Sequence, residues 1–211
     1  MLKVRLNLRT VVAIAICLAG NAMMFAQETG VVINGVKWAT RNVDKPGAFA
    51  AKPEAPGMFY QWNGEIGWSN TDPLKDSNEG TSWLKNGVIG PSWKKEKDPS
   101  PPGWRIPTLD EIKTLLDTDK VSNEFMTENG VNGQKFTDKA TGKSIFLPFV
   151  GYRSISDGEL NRVGLTGWYW SGTPAGGQNL WYGYALFLSS EGSSSGSEHV
   201  GYAGNIRSVA E

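Results

Sequence analysis

The run Val31-Val32-Ile33-Asn34-Gly35-Val36-Lys37-Trp38 sets two short apolar-rich stretches on either side of Asn34-Gly35. Asn-Gly accepts the positive φ angles of a tight turn, so the segment predicts a β-hairpin. The periodicity changes at Thr108-Leu109-Asp110-Glu111, where a Thr hydroxyl and a Glu carboxylate can satisfy each other's free backbone N–H groups. Ile112, Leu115 and Leu116 then share one face, which predicts a helix ending near Asp117 to Lys120. Its early acids suit the positive end of the helix dipole. Gly130 to Gly142 reads as turn-rich, and Ser144 to Arg153 as a strand interrupted by Pro148. The final third, Gly164 to Val209, reads as antiparallel strands joined by Gly/Ser turns: Trp168-Tyr169-Trp170, Trp181 to Leu188, and Ile206 to Val209. One or two helices followed by a short-stranded sheet predict an α+β domain with long irregular loops.

Alternation between Trp181 and Leu188 puts Tyr182, Tyr184, Leu186 and Leu188 on one face, and Trp181, Gly183, Ala185 and Phe187 on the other. The leucines mark the first face as core, which leaves Trp181 and Phe187 exposed and in want of a covering partner.

Composition changes this picture in three ways. The 211 residues include 26 Gly, 11 Pro and 9 Trp, which cut regular structure short and supply rigid contact surface. From Asp44 to Pro102 the chain is loop-like, yet the tryptophans in or just before that stretch argue for a packed excursion rather than a linker. The 21 basic and 21 acidic residues cancel, so no global field favours nucleic acid.

The first 26 residues read as a secretory leader. Lys3, Arg5 and Arg9 precede the short apolar run Val11 to Leu18, with cleavage after Ala22 or Ala26. That run falls short of the ~20 residues that span a bilayer, so no membrane-spanning segment is expected after processing. Ile16 before Cys17 is too large for a lipidation site. Loss of the leader removes the only cysteine and three positive charges from the balanced total, leaving a net charge of −3. The expectation is a single domain over residues 27–211, exported to the periplasm, cell surface or medium of a bacterium.

Several stretches carry a resemblance: Gly35-Val36-Lys37-Trp38-Ala39-Thr40-Arg41-Asn42-Val43, Asp98-Pro99-Ser100-Pro101-Pro102-Gly103-Trp104-Arg105-Ile106-Pro107-Thr108, Phe146-Leu147-Pro148, Gly151-Tyr152-Arg153 and Trp168-Tyr169-Trp170-Ser171. Together they resemble the Fibrobacter succinogenes major paralogous domain family of bacterial exported proteins, over roughly Val31 to Glu211. The resemblance implies a C-type-lectin-like fold. Relatives often read Asp-Pro-Cys-Pro and Arg-Cys-Val where this chain has Ser100 and Ser208. It therefore implies that the two serines are neighbours, with Cα atoms ~4.4–6.8 Å apart as a disulfide requires.

Most site chemistry is missing. One His and no cysteine beyond the leader exclude the usual zinc sites, and the Glu-Pro-Asn, Gln-Pro-Asp and Trp-Asn-Asp motifs of calcium-dependent lectins are absent. Asn70-Thr71-Asp72 and Asp76-Ser77-Asn78-Glu79-Gly80 gather oxygen ligands without EF-hand spacing, so they read as turns. No nucleophile elbow accompanies His199. No cofactor, metal or catalytic activity is expected. The functional signal lies between Gly164 and Asn205, where aromatic residues alternate with Gly/Ser runs as in an antibody paratope. Aromatics also suit β-hairpins for packing alone. The candidate contacts are Trp181, Tyr182, Phe187, His199 and Tyr202, with Asn179 and Asn205 as polar partners. Two readings follow: an exported non-enzymatic binding domain for a glycan or an exported or surface protein, or a structural subunit of a cell-surface assembly.

Overall fold

The Asn34-Gly35 turn adopts the backbone its residues allow, with φ of 45° and 82°. It joins β1 (Val31–Ile33) to β2 (Val36–Trp38) in an antiparallel hairpin. The computed structural model describes residues 28–87, 90–176 and 180–211. The leader and Asn179 therefore lie outside the described residues. Along the chain follow β3 (Phe59–Gln61), β4 (Gly67–Trp68), β5 (Trp104–Arg105), helix α1 (Leu109–Leu115), β6 (Val121–Glu128), β7 (Val131–Asp138), β8 (Ser144–Pro148) and β9 (Tyr152–Arg153). The last six strands are β10 (Leu160–Asn161), β11 (Thr166–Pro174), β12 (Tyr182–Ser189), β13 (Gly192–His199), β14 (Ala203–Gly204) and β15 (Val209–Ala210).

These strands form four antiparallel sheets, ordered β1-β2-β15-β5, β10-β9-β14-β3-β4, β11-β12-β13 and β6-β7-β8. The expected α+β, C-type-lectin-like class is thereby corrected. The protein is β-rich, with a single α-helix among the described residues. Two stretches whose glycines suggest turns are strands instead. Most of Gly130 to Gly142 is β7, paired on both sides with β6 and β8. The Gly/Ser run from Gly192 to His199 is β13, paired residue for residue with β12. Neighbouring strands supply the ladder that local propensity does not.

The helix follows its sequence. Thr108 accepts from the Glu111 N–H at 3.2 Å, and the Glu111 carboxylate accepts from the Thr108 N–H at 2.8 Å. Ile112 and Leu115 face inward, joining Tyr169, Leu186 and Leu188 of the β11-β12-β13 sheet and Phe136, Ile145 and Leu147 of β7-β8 in the main core. The opposite face of β12 is covered too. Trp62, Trp170, Ala185 and Val200 form a second cluster there, and a Cβ on Gly183 would lie 2.4 Å from the Trp62 ring. The Trp62 indole donates to the Ser171 carbonyl at 2.9 Å, and that of Trp170 to the Tyr60 carbonyl at 2.8 Å.

Glu111 also holds Arg105 in a two-pronged pair at 2.6 and 2.8 Å. Near the start of the described chain, Glu28 accepts from the N–H groups of Gly30 and Thr40, the Thr40 hydroxyl and Arg41. Burial works to raise both carboxyls, but these donors outweigh it and hold each below its ordinary value of 4.5. A lowered folded pKa means stability that is complete above the unfolded value and lost as pH falls through the folded one. The denaturation midpoint should stay level from neutral pH down to about 5 and fall progressively below 4.5. Chemical unfolding across that range measures it, and Glu111→Gln should flatten the acid slope.

Candidate functional site

Two neighbouring segments are tied into one surface by Gln61. Its buried side-chain amide donates to the Leu84 carbonyl at 2.6 Å and to the Gly201 carbonyl at 2.9 Å. The loop carrying Asn86 is thereby pinned beside the turn that follows β13. Gly87 packs against the Val200 carbonyl, too close to admit a side chain. Asn86, Trp181, Tyr182 and His199 together line an open depression of about 410 Å³.

Within it, the His199 ring lies near-parallel to the Trp181 indole, centroids 5.6 Å apart, and edge-on to Tyr182 at 5.6 Å. His199 Nδ1 accepts from the Gly201 N–H at 3.1 Å, which assigns the ring proton to Nε2. The backbone N–H of His199 donates to Glu198 Oε1 at 2.9 Å. Trp181 and Tyr182 are 41% and 39% exposed, large values for aromatic side chains.

Three of the expected contacts thus converge. The others separate. Phe187 and Tyr202 are half-buried in an aromatic cluster around Trp168, at 5.3 and 5.5 Å, with Tyr152 stacked flat on that indole at 3.9 Å. The expected exposure of Phe187 is accordingly corrected: Trp168, its cross-strand neighbour, covers it. Tyr182 departs in the other direction. It shares the face of Leu186 and Leu188, but it opens the strand and lies outside the core cluster that buries both leucines. Asn205 is corrected as well. It is fully buried, and its amide donates to the Pro56 and Met58 carbonyls at 2.7 and 3.1 Å, so it fastens loops rather than meeting a ligand. Sequence reasoning missed Asn86, which lies in a Pro/Gly-rich stretch with no periodicity to place it.

A larger cleft of about 640 Å³ lies elsewhere, lined by Trp93, Asp98, Ser100, Trp104, Arg105 and Glu211 among others. Its charged groups already serve the fold. Asp98 accepts from the Ser100 and Ile106 N–H groups, Arg105 is held by Glu111, and Lys95 approaches Glu211 at 3.5 Å. Trp104 is half-buried at this rim and meets Phe49 edge-on at 5.6 Å.

Among the described residues no group of three or more His, Cys, Asp or Glu side chains is placed to hold a metal. In the acidic 76–80 turn, Asp76 Oδ1 accepts from the N–H groups of Asn78 and Gly80. No described helix is long and apolar enough to cross a membrane. Comparison with known protein families, with curated proteins and with solved structures found no match.

Proposed function

We propose that this protein is an exported, non-enzymatic binding module that recognises a carbohydrate at the depression lined by Asn86, Trp181, Tyr182 and His199. The observation that carries the reading is the pairing of exposed indole and phenol rings with polar groups at the same opening. Apolar faces of sugar rings pack on aromatic faces, while sugar hydroxyls need donors and acceptors alongside. The Asn86 amide supplies both, and His199 offers its Nε2–H because Nδ1 is already engaged. Membership of the exported paralogous family belongs to this proposal and rests on the quoted motifs.

A broad glycan array, probed with calcium and again with a chelator, tests the reading. Binding that persists in chelator and weakens by ~2 kcal/mol or more in Trp181→Ala is the expected result. A blank array under both conditions would reject carbohydrate as the ligand and favour a protein partner at the same rings. Binding that Trp181→Ala leaves unchanged would move the site elsewhere.

A further inference from the structure

The segment Pro53-Glu54-Ala55-Pro56 begins and ends on residues that donate no N–H, and it is fastened by side chains rather than by a ladder. The Pro56 carbonyl accepts from the buried amides of Asn42 and Asn205 at 3.0 and 2.7 Å. Beside that clamp Glu54 is only 8% exposed. Its Oε1 accepts from the Asn129 side-chain amide at 3.2 Å, a single neutral donor. Among the described residues Oε2 has no hydrogen-bond partner, and Glu54 belongs to no ion pair. A carboxylate placed this deeply is costly unless a cation or several donors meet it.

Glu54 lines a pocket of about 310 Å³ whose apolar walls are Pro56, Val131, Phe149, Val150 and Val163. That volume lies within the range of small-ligand sites. Its frame is fixed by the backbone. The Phe149 N–H donates to the Asn132 carbonyl and the Gly164 N–H to the Phe149 carbonyl, both at 2.7 Å. The amide nitrogens in the lining already donate to carbonyls, Asn132 to Gly164 at 3.1 Å and Asn70 to Gly57 at 2.7 Å. Left over are acceptors, Glu54 Oε2 and Asn70 Oδ1, and no Lys or Arg lines the pocket.

We propose that this pocket binds a small primary ammonium carrying an apolar body, with the ammonium on Glu54 and the body against Phe149 and the valines. An ammonium brings three donors and no acceptor, the complement of what the lining leaves free. A neutral guest would leave the carboxylate without its counter-charge, and an anion would meet it with like charge. The pocket shares no lining residue with the Asn86–His199 depression, so neither site depends on what the other binds.

Titration with phenethylammonium, phenethyl alcohol and hydrocinnamate, followed by the backbone amide resonances of the folded protein, tests the proposal. The three probes share a ring and a two-carbon tether and differ in charge. The ammonium should saturate and shift the amides of Val131, Phe149 and Gly164. The alcohol should bind about tenfold more weakly, and the carboxylate should not bind. Glu54→Gln keeps the shape of the side chain and should weaken the ammonium by about tenfold or more. Should that variant misfold, Val163→Lys, at a position 58% exposed, sets an ammonium of the chain's own at the pocket and should give the same loss. An ammonium that never saturates would overturn the proposal. So would an alcohol that binds as tightly, or an ammonium affinity that either folded variant leaves unchanged.

Discussion

Replacing Arg153 with alanine should cost about 3–4 kcal/mol of stability, near the upper end for a single substitution, because it removes the centre of a buried network. The guanidinium is fully buried, and its partners are mostly backbone carbonyls. Nε donates to Ser69 at 2.8 Å, Nη2 to Thr71 at 2.9 Å and Nη1 to Gly158 at 2.6 Å. Asp72 stands at 3.5 Å and is itself mostly exposed, so the charge is held chiefly by carbonyl dipoles. These bonds tie the 69–72 loop to the 154–158 turn. Beneath them lies a cluster of Phe59, Trp68, Val150 and Ala203, with Trp83 packed edge-on against Trp68 at 4.8 Å. The Trp83 indole donates to the Ile155 carbonyl of the same turn. Alanine would leave three carbonyls without their donor and loosen the lid over this cluster. Lysine restores the charge but not the planar fork, and should recover no more than about half of the loss. Urea unfolding measures the cost, and the near-ultraviolet dichroism of Trp68 and Trp83 should weaken. An alanine variant within about 1 kcal/mol of the parent would show that water satisfies these carbonyls as well as Arg153 does.

Arg153 also shows what was legible in the sequence and what was not. Local signals held: the Asn34-Gly35 hairpin, the Thr108–Glu111 capping box, and the inward faces of Leu186 and Leu188. Each is decided within a few residues by backbone preference or alternation. Class failed because β7 and β13 are specified by their neighbours, which no local window contains. The motifs that suggest a family turn out to be structural. A Cβ on Gly151 would lie 2.0 Å from the Asn161 carbonyl oxygen, and φ there is 76°, so glycine alone fits. Asn42 is buried, donating to the Pro56 carbonyl and accepting from the buried Arg207. Gly151 and Asn42 hold loops in place, and that role says little about a ligand. The candidate site was legible in part. Trp181, Tyr182 and His199 stand out by type, whereas Asn86 joins them through long-range contacts, the Gln61 tether and the packing of Gly87 against Val200.

The double variant Ser100→Cys/Ser208→Cys should form a disulfide and stabilise the fold by about 2–4 kcal/mol. The side chains are already in place, with hydroxyl oxygens 2.7 Å apart, Ser208 fully buried and Ser100 partly so. Ser208 sits where the end of the chain is locked in. Its carbonyl accepts from the Ala39 N–H, and the next residue, Val209, pairs with both Trp38 and Arg105. Ser100 leads into the segment that supplies β5 and the cap of α1. A bridge here closes a loop of more than 100 residues, for which chain entropy alone predicts about 4.7 kcal/mol, and native-state strain ordinarily reduces that figure. In a chain of this size the gain corresponds to a rise in Tm of roughly 4–16 °C. Each single serine-to-cysteine variant should lose little, since only a partly buried hydroxyl pair is broken. The comparison that isolates the cross-link is the double variant before and after reduction, followed by thermal unfolding. Equal stability in the two states, or thiols that remain titratable after oxidation, would show that the two backbones hold the serines at hydrogen-bonding distance but in a geometry that a covalent bridge cannot share.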